Sequence, residues 1–145
     1  MYESTQQLPQ VLALILAEGG YWDAATNKYF ILGALTSLQV YHLPWTQPNL
    51  SVYAAVTDGR GSTQFTFRIV DLNGGYEPVS QVSFELDMTD PIQVLEIGIQ
   101  LRSLVFPVAG EYVLQMEAAR EFLLERRIDL LLKLPPDLAE DRDDS

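Results

Sequence analysis

The chain contains no cysteine and a single histidine, His42. The first absence excludes disulfides, thiolate catalysis and cysteine-ligated zinc or iron–sulfur centres. The second means that no His-pair metal site, HExxH motif or set of His-based triad partners can be assembled. His42 itself stands beside Leu43-Pro44-Trp45, where a satisfied or solvated imidazole is the expected reading. Basic residues are also scarce, 9 Lys and Arg against 20 Asp and Glu, giving a formal net charge of −11. Their largest cluster is Arg126-Arg127. Neutralising a phosphate backbone or an anionic bilayer takes several convergent cations, so no nucleic acid and no membrane are expected as partners. Long apolar runs are missing too. Residues 11–17 fall far short of the roughly 20 residues of a membrane-spanning helix, and Glu3 is the only charge before them, so they do not read as a signal sequence. A cytoplasmic location is the default that follows. Asn49-Leu50-Ser51 matches a glycosylation acceptor, but without secretion the match carries no meaning.

Motifs for catalysis are equally thin. Ser37, Ser51, Ser80, Ser83 and Ser103 lack a GxSxG setting, so there is no nucleophile elbow. Asp71-Leu72-Asn73-Gly74-Gly75 echoes the opening of a calcium loop, yet position twelve of such a loop would be Val82 where a bidentate glutamate is needed. A hairpin turn explains it better. Asp58-Gly59-Arg60-Gly61 lacks the lysine and the length of a phosphate loop and reads as a turn whose glycines supply positive φ. Carboxylates such as Asp87 and Asp90 show no sequence sign of separated pKa values, and Asp90 before Pro91 is more simply a turn residue. No catalytic residue, metal site or cofactor is expected, and the reading is that the protein is not an enzyme.

What is present is a pattern of alternation. With 145 residues, 48% of them hydrophobic, the chain suits one domain with a proper core. Residues 93–130 set Leu95, Ile97, Ile99 and Leu101 on one face, break at Phe106-Pro107-Val108-Ala109-Gly110, and resume with Tyr112, Leu114 and Met116. After a turn near Ala118-Ala119-Arg120, Phe122, Leu124, Ile128 and Leu130 keep the same period. Residues 117–132 are good helix formers, but their alternation favours a strand. Earlier, residues 10–18 suit a strand buried on both faces, residues 21–28 a connection, and residues 29–43 one long strand with Gly33 as a bulge or close-approach point. Pro44 and Pro48 should end it. Residues 51–57 alternate, Phe65, Phe67 and Ile69 follow, and Val82, Phe84 and Leu86 alternate with Gln81, Ser83 and Glu85 in a strand with one wet face. The expected fold is all-β, an antiparallel β-sandwich of about eight strands. Its expected bounds are a flexible segment at 1–9, the domain at 10–134 and an acidic disordered tail at 135–145.

Aromatic residues are the remaining candidates for a site. Tyr21, Trp22, Tyr41, Trp45 and Tyr76 fall in or beside expected connections, where clustered rings can stack on sugars or anchor a partner. Trp22, Trp45, Tyr41 and Tyr76 are the candidate ligand-binding set. The competing reading is that large rings near strand ends close the core.

The Phe106-Pro107-x-x-Gly110-x-Tyr112 element and its closing strand resemble the last hairpin of immunoglobulin-like and fibronectin-like sandwiches. Residues 18–33 (Asp23, Thr26, Lys28, Ile31), Tyr53-Ala54-Ala55-Val56-Thr57-Asp58-Gly59 and the same element together resemble a small bacterial family known only as a domain of unknown function. The resemblance covers residues 10–133 and implies an immunoglobulin-like sandwich and no activity. The expected role is therefore a non-enzymatic module binding another protein or itself, since residues 11–16 and 130–132 are apolar on both strand faces. The alternative is a carbohydrate or small-ligand module using the loop aromatics.

Overall fold

The computed structural model describes residues 7–75 and 77–133. The expectations for residues 1–6, for Tyr76 and for the acidic tail lie outside the described residues. Among those described, the regular structure is nine strands and no helix: β1 (Gln10–Asp23), β2 (Lys28–Ala34), β3 (Ser37–Val40), β4 (Trp45–Thr57), β5 (Gly61–Asp71), β6 (Glu77–Met88), β7 (Leu95–Phe106), β8 (Gly110–Ala118) and β9 (Glu121–Leu132). They form two sheets, ordered β2-β1-β4-β7 and β3-β9-β8-β5-β6. Residues 117–132 are strand and not helix, as their alternation indicates, apart from the turn at Ala119-Arg120 between β8 and β9.

The core lies between the sheets. Leu14, Leu16, Leu50, Val52, Val56 and Ile97 come from one sheet, and Phe65, Phe67, Ile69, Leu114, Met116 and Ile128 from the other. Each set sits at alternate positions of its strand, which is how a pleated sheet buries one face. Phe84 of β6 packs against Phe65 and Phe67 with ring centroids 6.3 and 6.0 Å apart. At one end Phe106 meets Tyr112 edge to face at 5.0 Å. The Tyr112 hydroxyl donates to the Val108 carbonyl at 2.6 Å, which ties the β7–β8 connection back onto β8.

Several expectations change. The expected long strand at 29–43 is two strands in different sheets: β2 pairs with β1, whereas β3 pairs parallel with β9. Gly33, with φ +71°, lies against Glu18 just before the chain crosses from one sheet to the other. Residues 21–28 are not a connection, because β1 runs to Asp23 and the turn is confined to residues 24–27. Its closure follows from Asp23, whose carboxylate accepts from Ala25 N at 3.1 Å and Thr26 Oγ1 at 2.7 Å. Pro48 lies inside β4, contrary to the expectation that two prolines would exclude a strand. There β1 has already left β4, their last pair being Ala17 with Ser51, so the missing N–H falls where β4 has only β7 beside it.

Asp58-Gly59-Arg60 carries the chain between sheets rather than closing a hairpin, since β4 and β5 belong to different ones. Residues 7–9, expected to be loose, are held: Gln7 and Arg60 exchange backbone hydrogen bonds of 3.0 and 3.1 Å, and Pro9 is buried. Phe122 was placed on the core face but is exposed. A register shift where Met116 and Glu117 meet β9 inserts one residue, so Leu123 and Leu124 both turn toward the core and Phe122 is rotated out. Leu132 is exposed as well.

Candidate functional site

The four aromatic candidates do not converge. Trp22 projects from the β1–β2 hairpin and is 48% exposed. On the other face of that hairpin Tyr21 and Phe30, directly paired across it, stack at 5.2 Å with their planes 3° apart. Leu32 is exposed on the same hairpin. Trp45 behaves differently. It packs against the core, its ring lies 5.2 Å from His42, and its indole N–H donates to Gln47 Oε1 at 2.9 Å. That is core closure, the competing reading. Tyr41 is exposed beside the exposed His42, and no ring contact joins Trp22 to Trp45 among the described residues. Tyr76 lies outside the described residues.

Burial therefore separates the two tryptophans experimentally. Trp22→Ala is expected to cost less than about 1 kcal/mol, and Trp45→Ala about 2–3 kcal/mol. Urea unfolding of both variants checks this. A Trp22→Ala protein that unfolds cooperatively at the parent's midpoint remains usable for binding assays; one that does not fold would show that the hairpin carries core stability.

The hairpin is pinned to its own sheet by a cluster that sequence reading missed. Tyr29 of β2 packs on Tyr53 of β4 at 5.1 Å with the rings tilted by 39° and reaches over Gly20 and Gly98, where a Cβ at Gly98 would collide with its hydroxyl and ring. Gln100 joins in, accepting from Ser51 Oγ at 2.7 Å and donating to Gly20 O at 3.0 Å. The Tyr53 hydroxyl donates to Glu96 Oε2. Burial, then the hydrogen bond and charge of Glu96, then Tyr29, push the Tyr53 phenol from 10.0 up to about 12, and burial also raises Tyr29. The folded state thus holds the Tyr53 proton more tightly than the unfolded chain. Stability is full below pH 10.0 and declines as pH rises toward about 12, where the unfolded chain alone has lost the proton. Tyr53→Phe is expected to flatten that alkaline decline, measured as the urea midpoint against pH. An unchanged slope would assign the decline to other groups. Gly98→Ala is expected to lift Tyr29 off the sheet and cost about 1–3 kcal/mol. Amide exchange should then accelerate in β2 while β5 and β8 stay protected; uniform acceleration would contradict a local anchor.

Two clefts open between the sheets. One, of about 480 Å³, lies between β1 and β9 and is lined by Leu14, Leu16, Leu35 and Arg126. Arg126 Nε–H donates across it to Leu14 O at 3.1 Å, so the protein's own side chain bridges this seam. The other, of about 490 Å³, lies between β6 and β7. Its lining is Val82, Phe84 and Leu86 from β6 and Leu95, Glu96, Ile97, Gly98, Ile99 and Gln100 from β7, apolar on the β6 side and mixed on the β7 side. Each of these strands is the last of its sheet, and among the described residues no strand pairs with its outer side. Along a twelve-residue edge every second residue presents an unpaired N–H and C=O.

Chemistry is sparse around both. Among the described residues no group of three His, Asp or Glu side chains is placed to hold a metal ion. Asp90 Oδ1 accepts from Ile92 N at 3.2 Å, the turn role read for it, and Asp71 Oδ1 accepts from Asn73 N at 2.8 Å, closing the β5–β6 hairpin. No helix among the described residues is long and apolar enough to cross a membrane.

Fold and surface together define an all-β protein of two facing sheets whose distinctive feature is an uncovered seam between two sheet edges. Over residues 12–130 the chain belongs to a family of unknown function, DUF6941. No curated protein matches it.

Proposed function

We propose that this protein is a non-enzymatic, immunoglobulin-like β-sandwich module that works by binding another protein or a second copy of itself. The observation that carries the reading is the seam of β6 and β7, where two strand edges that no other described strand pairs with flank a mostly apolar cleft. Such an edge is a template for another strand, because main-chain groups supply affinity and the apolar wall supplies register. The immunoglobulin-like assignment draws support from β3 lying parallel to β9 at the rim of the five-stranded sheet, and from the Tyr112 hydroxyl bonded back to Val108 at the start of β8. We further place the protein in the bacterial cytoplasm, on its acidity and its resemblance to a bacterial family.

Light scattering coupled to size exclusion, run over a wide concentration range, together with selection from a displayed library of extended peptides, tests this role. A dimer or a selected peptide that protects β6 or β7 amides from exchange is the expected result. A protein that stays monomeric and selects no peptide would overturn it.

A second reading, a carbohydrate module, rests on the exposed Trp22, with the stacked Tyr21 and Phe30 on the opposite face of the same hairpin. Flat exposed rings suit sugar faces. It predicts a hit in a glycan screen that Trp22→Ala removes; a blank screen would dismiss it.

A further inference from the structure

We infer that the partner of the β6–β7 seam is an extended segment of a different protein, alternating apolar with basic residues and added as a strand along β6. The inference rests on the protein-binding reading above and names its chemistry.

The alternation of β6 sets the first requirement. Val82, Phe84 and Leu86 are half-buried and line the cleft, whereas Gln81, Ser83, Glu85 and Asp87 are exposed on the opposite face. A strand laid beside β6 shares its pleat, so every second side chain would enter the cleft against Phe84 and its neighbours, and the others would lie beside Ser83, Glu85 and Asp87. Apolar residues suit the first set, because Val82, Phe84 and Leu86 are left half-buried beside an open space of about 490 Å³.

Charge decides the second set. Residues 81–101, which span β6 from Gln81 onward and the first half of β7, hold four carboxylates, Glu85, Asp87, Asp90 and Glu96, and no lysine or arginine. Arg68 is the neighbouring cation on the outer face of the same sheet, and it is held by Glu117 and Gln81. Among the described residues no salt bridge reaches Glu85 or Asp87, and lysine or arginine opposite them gains where glutamate or aspartate would be repelled. The same argument excludes a second copy along β6. Antiparallel pairing of two such strands would bring acidic edges together in chains that each carry a net charge of −11.

The test uses a fluorescently labelled peptide of about ten residues alternating valine with lysine, a normal strand length, titrated into the full chain and read by anisotropy. Comparators of equal length alternate valine with glutamate, valine with serine, and glycine with lysine. The valine–lysine peptide is expected to bind best, with amide protection at residues 81–87, and to weaken as salt rises. The double variant Glu85→Lys with Asp87→Lys, both exposed and so compatible with folding, is expected to weaken it by about tenfold or more and to strengthen the valine–glutamate peptide. Equal binding of the glycine–lysine peptide would overturn the inference by reducing it to bulk charge. Equal or better binding of the valine–serine or valine–glutamate peptide, or protection along β7 alone, would overturn the basic β6 partner while leaving strand addition intact. No binding by any peptide would remove both the inference and the strand-binding role beneath it.

Discussion

Tyr112→Ala is expected to lower the unfolding free energy by about 3–5 kcal/mol, the range for deleting a fully buried ring. Tyr112 has no exposed surface, packs edge to face on Phe106, and pairs with Ile128 on one side and Asp71 on the other. Its removal empties the junction of β5, β8 and β9. Tyr112→Phe separates ring from hydroxyl. It keeps the packing and loses the hydroxyl's bonds to Val108, the one donated to its O at 2.6 Å and the weak one accepted from its N at 3.4 Å, expected to cost about 1 kcal/mol. Chemical unfolding of the pair checks both figures. Equal losses would mean that the hydroxyl, rather than the ring, holds the corner.

Gly110→Ala, two residues upstream, is expected to cost about 2–4 kcal/mol from two sources that can be told apart. Its φ of +134° is one that L side chains rarely adopt. A Cβ there would also lie 2.2 Å from Asn73 Nδ2. That amide donates to Asp71 Oδ1 at 3.2 Å and to Glu111 O at 3.3 Å, so displacing it loosens the partners of the buried Asp71. In an Asn73→Ala background the collision disappears and the backbone strain stays. A double-mutant cycle should therefore recover part of the loss, and full additivity would show that the clash contributes nothing.

Much of this architecture was legible as local pattern. Leu95, Ile97, Ile99 and Leu101, or Tyr112, Leu114 and Met116, alternate so regularly that strand and buried face follow together. The residues that escaped did so for non-local reasons. Nothing between Tyr29 and Leu43 announces that β2 and β3 join different sheets, because the alternation carries through and only the partners change. Phe122 kept its period, but a register shift against β8 displaced its phase by one residue. Pro48 reads as a strand breaker unless one knows that β1 has already left β4.

The site followed the same division. Trp22 and Trp45 look alike as letters near strand ends, yet one packs on the core with its indole N–H bonded to Gln47 and the other rides an exposed hairpin. The apolar residues that line the β6–β7 cleft were visible as alternation. That no strand among the described residues covers them is a property of the sheet order, which pairwise periodicity does not contain.

The parallel pairing of β3 with β9 bears on when this protein can close during synthesis. Ser37 pairs with Asp129, so β3 waits for a partner on the order of ninety residues downstream. At ordinary elongation rates that is several seconds at least, through which β3 has no partner strand in its own sheet and the four-stranded sheet has an incomplete facing layer. Nascent chains halted before residue 129 should accordingly be protease-sensitive around Leu38 and Val40, and that sensitivity should vanish once β9 has cleared the ribosome.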